Sequence, residues 1–68
     1  MMNGRYRTVH GSEVIVYDHS YEVEFNWAEE ENACIECESE MQDGYLVWDC
    51  QWHDGGSAEL HRITEGAP

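Results

Sequence analysis

The chain has 68 residues and a formal net charge of −12, since fifteen Asp and Glu residues stand against three Arg and no Lys. A chain of this length forms one small domain that buries only about 60% of the surface exposed on unfolding. Without a basic surface, direct binding of nucleic acid or of an anionic membrane is excluded, and no apolar run approaches a membrane span. We expect a single acidic domain over 1–68, with a flexible leader at 1–7 and a flexible tail at 66–68.

Alternation of apolar and polar residues predicts a mainly β fold. The predicted strands are, in chain order, 13–17, 21–27, 33–41, 45–52 and a last short run at 58–63 that is either a strand or one or two helical turns. Turns separate them at 18–20, 42–44 and 54–56. Asp43-Gly44 is a strong signal for a two-residue hairpin loop. The pattern favours a small antiparallel meander sheet of four to five strands.

Residues 28–41 fit a second interpretation. Asn26 could cap a helix, three consecutive glutamates would lie at its positive end, and Gly44 would follow its finish. A strand is the preferred prediction, and one short helix within 28–41 is the alternative. The large apolar residues with strand phasing form the predicted hydrophobic core: Val23, Phe25, Trp27, Ile35, Trp48 and Trp52.

The three cysteines and one histidine have the spacing of a metal site. Cys34-x-x-Cys37 and Cys50-x-x-His53 form a Cys3His set, which tetrahedral zinc accepts, and zinc could supply folding free energy to so small a core. Against this, the first pair has no Gly or Pro to form a tight turn, and on a strand its two cysteines would face opposite sides. The competing interpretation is that Cys37 and Cys50 are small core residues, with Cys34 near the surface and His53 at a strand end.

The acidic residues favour a different function. A net charge of 2 to 8 is enough for solubility in a small domain, so −12 calls for an explanation. Glutamates on one strand face lie about 6.8 Å apart, close to every second phosphate of a nucleic-acid strand. We therefore predict an inhibitor that mimics nucleic acid and occupies the binding groove of another protein. Its predicted contact residues are Glu22, Glu24, Glu29, Glu30, Glu31, Glu36, Glu38, Glu40, Asp43 and Asp49.

In size, acidity and the character of residues 21–40, the chain resembles the small anti-CRISPR proteins encoded by phages, several of which are DNA mimics. The resemblance covers composition and has no motif that aligns residue by residue, and the group shares no common fold. It implies a host defence complex as the target, with a type I CRISPR surveillance complex first.

The expected partner is therefore a basic nucleic-acid-binding protein or ribonucleoprotein complex in the bacterial cytoplasm. The expected oligomeric state is a monomer or a homodimer. Catalysis is not predicted, because fifteen carboxylates disfavour a reactive thiolate and no phosphate loop or nucleophile elbow is present. No cofactor is expected, and zinc at Cys34, Cys37, Cys50 and His53 is the alternative.

Overall fold

Seven short strands form two antiparallel sheets in the computed structural model, which describes residues 1–64. The strands are β1 Gly4–Arg7, β2 Glu13–Val16, β3 Tyr21–Glu24, β4 Glu38–Gln42, β5 Tyr45–Asp49, β6 Gly56–Glu59 and β7 His61–Arg62. The first sheet has the order β3-β2-β1-β7, and the second has the order β4-β5-β6. The predicted mainly β, antiparallel architecture is confirmed, with its strands divided between two sheets.

The start of the chain contains a strand that was not predicted from the sequence. Gly4–Arg7, which was placed in the leader from the sequence, forms a strand that pairs with β2 on one side and with β7 on the other. Tyr6, at the centre of this strand, is buried, and its hydroxyl donates a hydrogen bond to the Met2 carbonyl oxygen at 2.5 Å. The predicted flexible tail at 66–68 lies outside the described residues.

The second sheet begins with a hairpin of the expected type. Gln42 pairs with Tyr45 across a loop of two residues, Asp43 and Gly44, whose φ angles are 47° and 87°. Two positive φ angles match the twist of the flanking strands, which explains the preference for Asp-Gly at this place.

Residues 28–41 contain only a short strand at their end. No helix occurs in residues 1–64, so the helix alternative is wrong, and none of the described residues could form a membrane-spanning helix. The preferred strand starts only at Glu38 rather than at residue 33. Residues 25–37 form a chain of turns that links the two sheets.

One small core joins the sheets. Its buried hydrophobic members are Tyr6, Val14, Val16, Leu46, Trp48 and Leu60. Val23 and Phe25 pack against it, as predicted, and the ring of Phe25 lies 5.3 Å from that of Trp48.

Three residues assigned to the core from the sequence are exposed instead. Trp27, Ile35 and Trp52 are 44%, 73% and 68% exposed. Strands β3 and β5 end before the two tryptophans, and Ile35 precedes β4 in a turn. The alternation of apolar and polar residues therefore extends in the sequence beyond the observed strands. Outside a strand, alternate side chains do not share one face, so the pattern does not predict burial there.

Candidate metal centre

The open end of the β4–β5 hairpin brings the two Cys-containing segments together. Glu38 and Asp49 form the last pair of this hairpin, so the residues next to them, Cys37 and Cys50, continue from neighbouring strand ends. His53 lies in the loop between β5 and β6. The two pairs are distant in the sequence, but the antiparallel hairpin between them places its two ends side by side. The pairs are therefore close in space.

Buried hydrogen bonds fix the path of the linking segment before it reaches the cysteines. The Glu30 side chain is 6% exposed, and its Oε2 accepts hydrogen bonds from Thr8 Oγ1 at 2.7 Å and Ser12 Oγ at 2.5 Å. Two residues later, the Asn32 carbonyl oxygen accepts a hydrogen bond from the buried Trp48 indole at 3.1 Å. These bonds anchor the segment on the first sheet and on the core, immediately ahead of Cys34.

The first cysteine pair forms a tight turn without Gly or Pro. The Cys37 N–H donates to the Cys34 carbonyl oxygen at 3.0 Å, which closes a turn around residues 35 and 36. The Cys34 N–H lies 3.2 Å from Cys37 Sγ. The objection that these cysteines would face opposite sides of a strand does not apply, because the segment is a turn and its two sulfur atoms lie close together.

Three of the six separations between the ligand atoms of this cluster match the edges of a zinc tetrahedron. With Zn–S bonds of about 2.3 Å and a Zn–N bond of about 2.0 Å, the tetrahedron has S–S edges of about 3.8 Å and S–N edges of about 3.5 Å. Cys34 Sγ lies 3.8 Å from Cys37 Sγ and 3.6 Å from Cys50 Sγ. Cys37 Sγ lies 3.5 Å from His53 Nε2. All four ligand atoms lie within 4.8 Å of one another.

Local hydrogen bonds act on two of these groups, Cys34 and His53. The backbone N–H of Glu36 points at the Cys34 sulfur and lowers the pKa of this thiol below its usual value. His53 Nδ1 lies 2.6 Å from the Asp54 carbonyl oxygen, which can only accept, so the ring proton is on Nδ1 and Nε2 presents its lone pair to the sulfur atoms. Burial raises the pKa of Cys37.

The ten predicted acidic contact residues do not form one row. Glu22 and Glu24 lie on β3 in the first sheet, whereas the row that includes Glu38 and Glu40 lies on β4 in the second sheet. The glutamates of β3 therefore do not lie beside those of β4 on a neighbouring strand. Glu30 is buried as an anchor of the linking segment, and the other nine residues are exposed.

Two residues that contribute to the centre were not identified as such from the sequence. The Trp52 indole N–H donates to Glu36 Oε2 at 2.9 Å, and this bond joins the two ligand-bearing loops outside the cluster of sulfur atoms. Trp52 lies inside the Cys50-x-x-His53 pair, which is the one signal that could have separated it from the core tryptophans.

Comparison with known proteins adds no family to this description. No family model, curated protein or solved structure matches the chain.

Proposed function

We propose that the protein is a small zinc-binding interaction module whose Cys3His centre holds its two irregular loops in place. The observation that supports this is the agreement between three of the six ligand separations, 3.8, 3.6 and 3.5 Å, and the edges of a zinc tetrahedron. The N–H groups directed at sulfur and the hydrogen-bonded Nδ1 of His53 are the outer contacts that such centres use.

The chemistry of the ligands favours zinc and a structural role. Three soft thiolates and one imidazole in a tetrahedral arrangement suit zinc rather than a cation that prefers oxygen ligands. Four protein ligands would fill the coordination shell and leave no position for substrate or water, so the proposed centre has a structural rather than a catalytic role. Three free cysteines are consistent with a reducing compartment, and we place the protein in the cytoplasm on this basis.

Nucleic-acid mimicry is the second candidate function. The acidic surface proposed for it is smaller than the set of ten contact residues predicted from the sequence. Glu38 and Glu40 are exposed on β4, and Asp49 is exposed directly opposite Glu38 on β5. A bacterial defence complex, with a CRISPR surveillance complex first, is the partner proposed for this function. Binding to such a complex that is lost on addition of competing duplex DNA would support mimicry, and binding unaffected by DNA would contradict it.

Metal analysis of the purified protein tests the zinc proposal directly. We expect one zinc per chain by native mass spectrometry, and tetrahedral absorption bands with sulfur-to-metal charge transfer when cobalt replaces zinc. Cys34→Ser should weaken the charge-transfer band because one thiolate is lost, and His53→Asn should lower the affinity for metal. The matched variant His61→Asn changes a histidine outside the cluster and should leave both unchanged.

The proposal would be wrong if the reduced protein bound no zinc at micromolar free metal. It would also be wrong if His61→Asn lowered the affinity as much as His53→Asn, since binding would then not depend on the cluster.

A further inference from the structure

Two large apolar side chains are exposed on the two loops that carry the ligands. Ile35 is 73% exposed in the turn of the first cysteine pair, and Trp52 is 68% exposed in the loop after β5. Large apolar groups that are exposed next to one another mark contact surfaces, whereas singly scattered ones need no explanation. The Trp52 indole donates a hydrogen bond to Glu36, the residue after Ile35, so these two exposed side chains lie on loops that are in direct contact.

The same contacts that form the metal centre fix this pair in space. The Trp52 indole is held by its hydrogen bond to Glu36 Oε2 at 2.9 Å. Behind it, His53 Nε2 lies 3.5 Å from Cys37 Sγ of the other loop. A metal ion bound there would lock both loops and hold the exposed side chains in one arrangement, which lowers the entropy cost of binding.

Acidic side chains surround one side of the pair. Glu36, Glu38 and Asp49 line a shallow cleft of about 230 Å³ next to Cys50. Glu38 and Asp49 are directly opposite each other across the β4–β5 pair, an arrangement of like charges that destabilises a sheet. The sequence between Thr8 and His61 has no Lys or Arg to relieve this repulsion. Positive charge supplied by a partner would relieve it.

We infer that a basic protein segment, in which one apolar side chain is flanked by Lys or Arg, docks on this surface. We call it the loop-tip surface, and its residues are Ile35, Glu36, Glu38, Asp49 and Trp52. The indole and the Ile35 side chain would contact the apolar residue, since tryptophan is among the residue types enriched where binding energy concentrates in protein interfaces. The carboxylates would attract the flanking cations and set the rate of association. The inference rests on the proposed zinc centre, because the zinc fixes the two loops.

Two labelled peptides test the inference on the zinc-loaded protein. One is rich in Lys and Arg and carries a single central leucine, and the other has glycine in place of that leucine. Fluorescence anisotropy at physiological ionic strength should show about tenfold tighter binding of the leucine peptide. Trp52→Ser should remove this preference, whereas Trp27→Ser, which changes an exposed tryptophan outside the ligand loops, should preserve it.

A second pair of variants tests the charges. Glu38→Gln should weaken the binding of both peptides, and Glu24→Gln, on β3 of the other sheet, should weaken them less. Zinc content is measured for every variant, so that a lost docking surface is distinguished from a lost metal centre.

The following results would contradict the inference, the zinc proposal or both. A zinc-loaded protein that binds the two peptides equally would overturn the inference and leave the zinc proposal standing. Equal loss of the leucine preference in Trp27→Ser and Trp52→Ser would overturn it as well. A protein that holds no zinc would overturn both proposals, since nothing would then fix the two loops.

Discussion

Removal of the metal should lower the thermal stability of the domain by a predictable amount. A metal that joins Cys34 to Cys50 closes a loop between residues 16 apart in the sequence. In the chain-entropy description of a cross-link, a loop of about 15 residues stabilises the folded state by about 3 kcal/mol. For a domain of this size, 1 kcal/mol shifts the melting temperature by about 4–8 °C. We therefore expect a decrease of roughly 12–24 °C when the metal is removed.

The expected shift is measured by circular dichroism during thermal unfolding. One sample contains zinc buffered at a free concentration about one hundred times the dissociation constant, where binding adds about 2.7 kcal/mol to the unfolding free energy. The other contains excess chelator and a reductant. The chelator should have no effect on His53→Asn once this variant has lost its metal, and it should act on His61→Asn as it does on the wild type.

Equal melting temperatures with and without zinc would refute this reasoning. The cysteines would then be small core residues, as the competing interpretation of the sequence has it, and their proximity would be a consequence of the hairpin alone.

Three further predictions concern the rest of the fold. Gly55→Ala should lower the unfolding free energy, measured by urea denaturation, by about 1–3 kcal/mol or more. The reason is that the added Cβ would lie 2.0 Å from the Trp48 carbonyl oxygen. An unchanged unfolding free energy would contradict this close approach. Glu13→Gln should cost less than about 1 kcal/mol at neutral pH, where the hydrogen bond from Arg5 lowers the pKa of the carboxyl. Because the folded pKa is lowered, this stabilisation is present above the unfolded pKa of about 4.3 and is lost as the pH falls through the folded pKa; a difference that persists in acid would contradict it. Glu38→Gln should raise stability by about 0.2–1 kcal/mol at low ionic strength and by less in salt, and a loss of stability at low salt would be the opposite result.

The strands of this protein were predictable where local pattern and turn chemistry agree. Residues 13–16 are rich in β-branched side chains, residues 45–49 place Leu46 and Trp48 on one buried face, and Asp43-Gly44 fixes the hairpin loop because both residues adopt positive φ angles. β1 was not predicted from the sequence. Tyr6 is buried and the arginines on either side of it are exposed, but a pattern of four residues is too short to be distinguished from a flexible leader.

The linking segment could not be predicted because distant residues determine it. Glu30 is buried among three consecutive glutamates only because Thr8 and Ser12, 22 and 18 residues away, provide hydroxyl donors. The Cys34–Cys37 turn has no residue that favours a turn, and it is closed by backbone and sulfur hydrogen bonds instead. The Cys3His spacing was visible in the sequence, whereas the geometry that favours a metal was not.

The proposed zinc would stabilise the domain as a cross-link. It would not relieve the repulsion among the acidic side chains. The ion brings two positive charges, but three thiols lose their protons on binding, so the chain becomes one charge more negative than its formal −12. Glu38 and Asp49 remain opposite each other beside the centre. The metal would hold Trp52 in place but would not neutralise these carboxylates. An ordered apolar side chain would then lie next to uncompensated negative charge. In this proposed arrangement, the stability gained from the metal and the remaining negative charge would both favour the binding of a basic partner at the loop-tip surface.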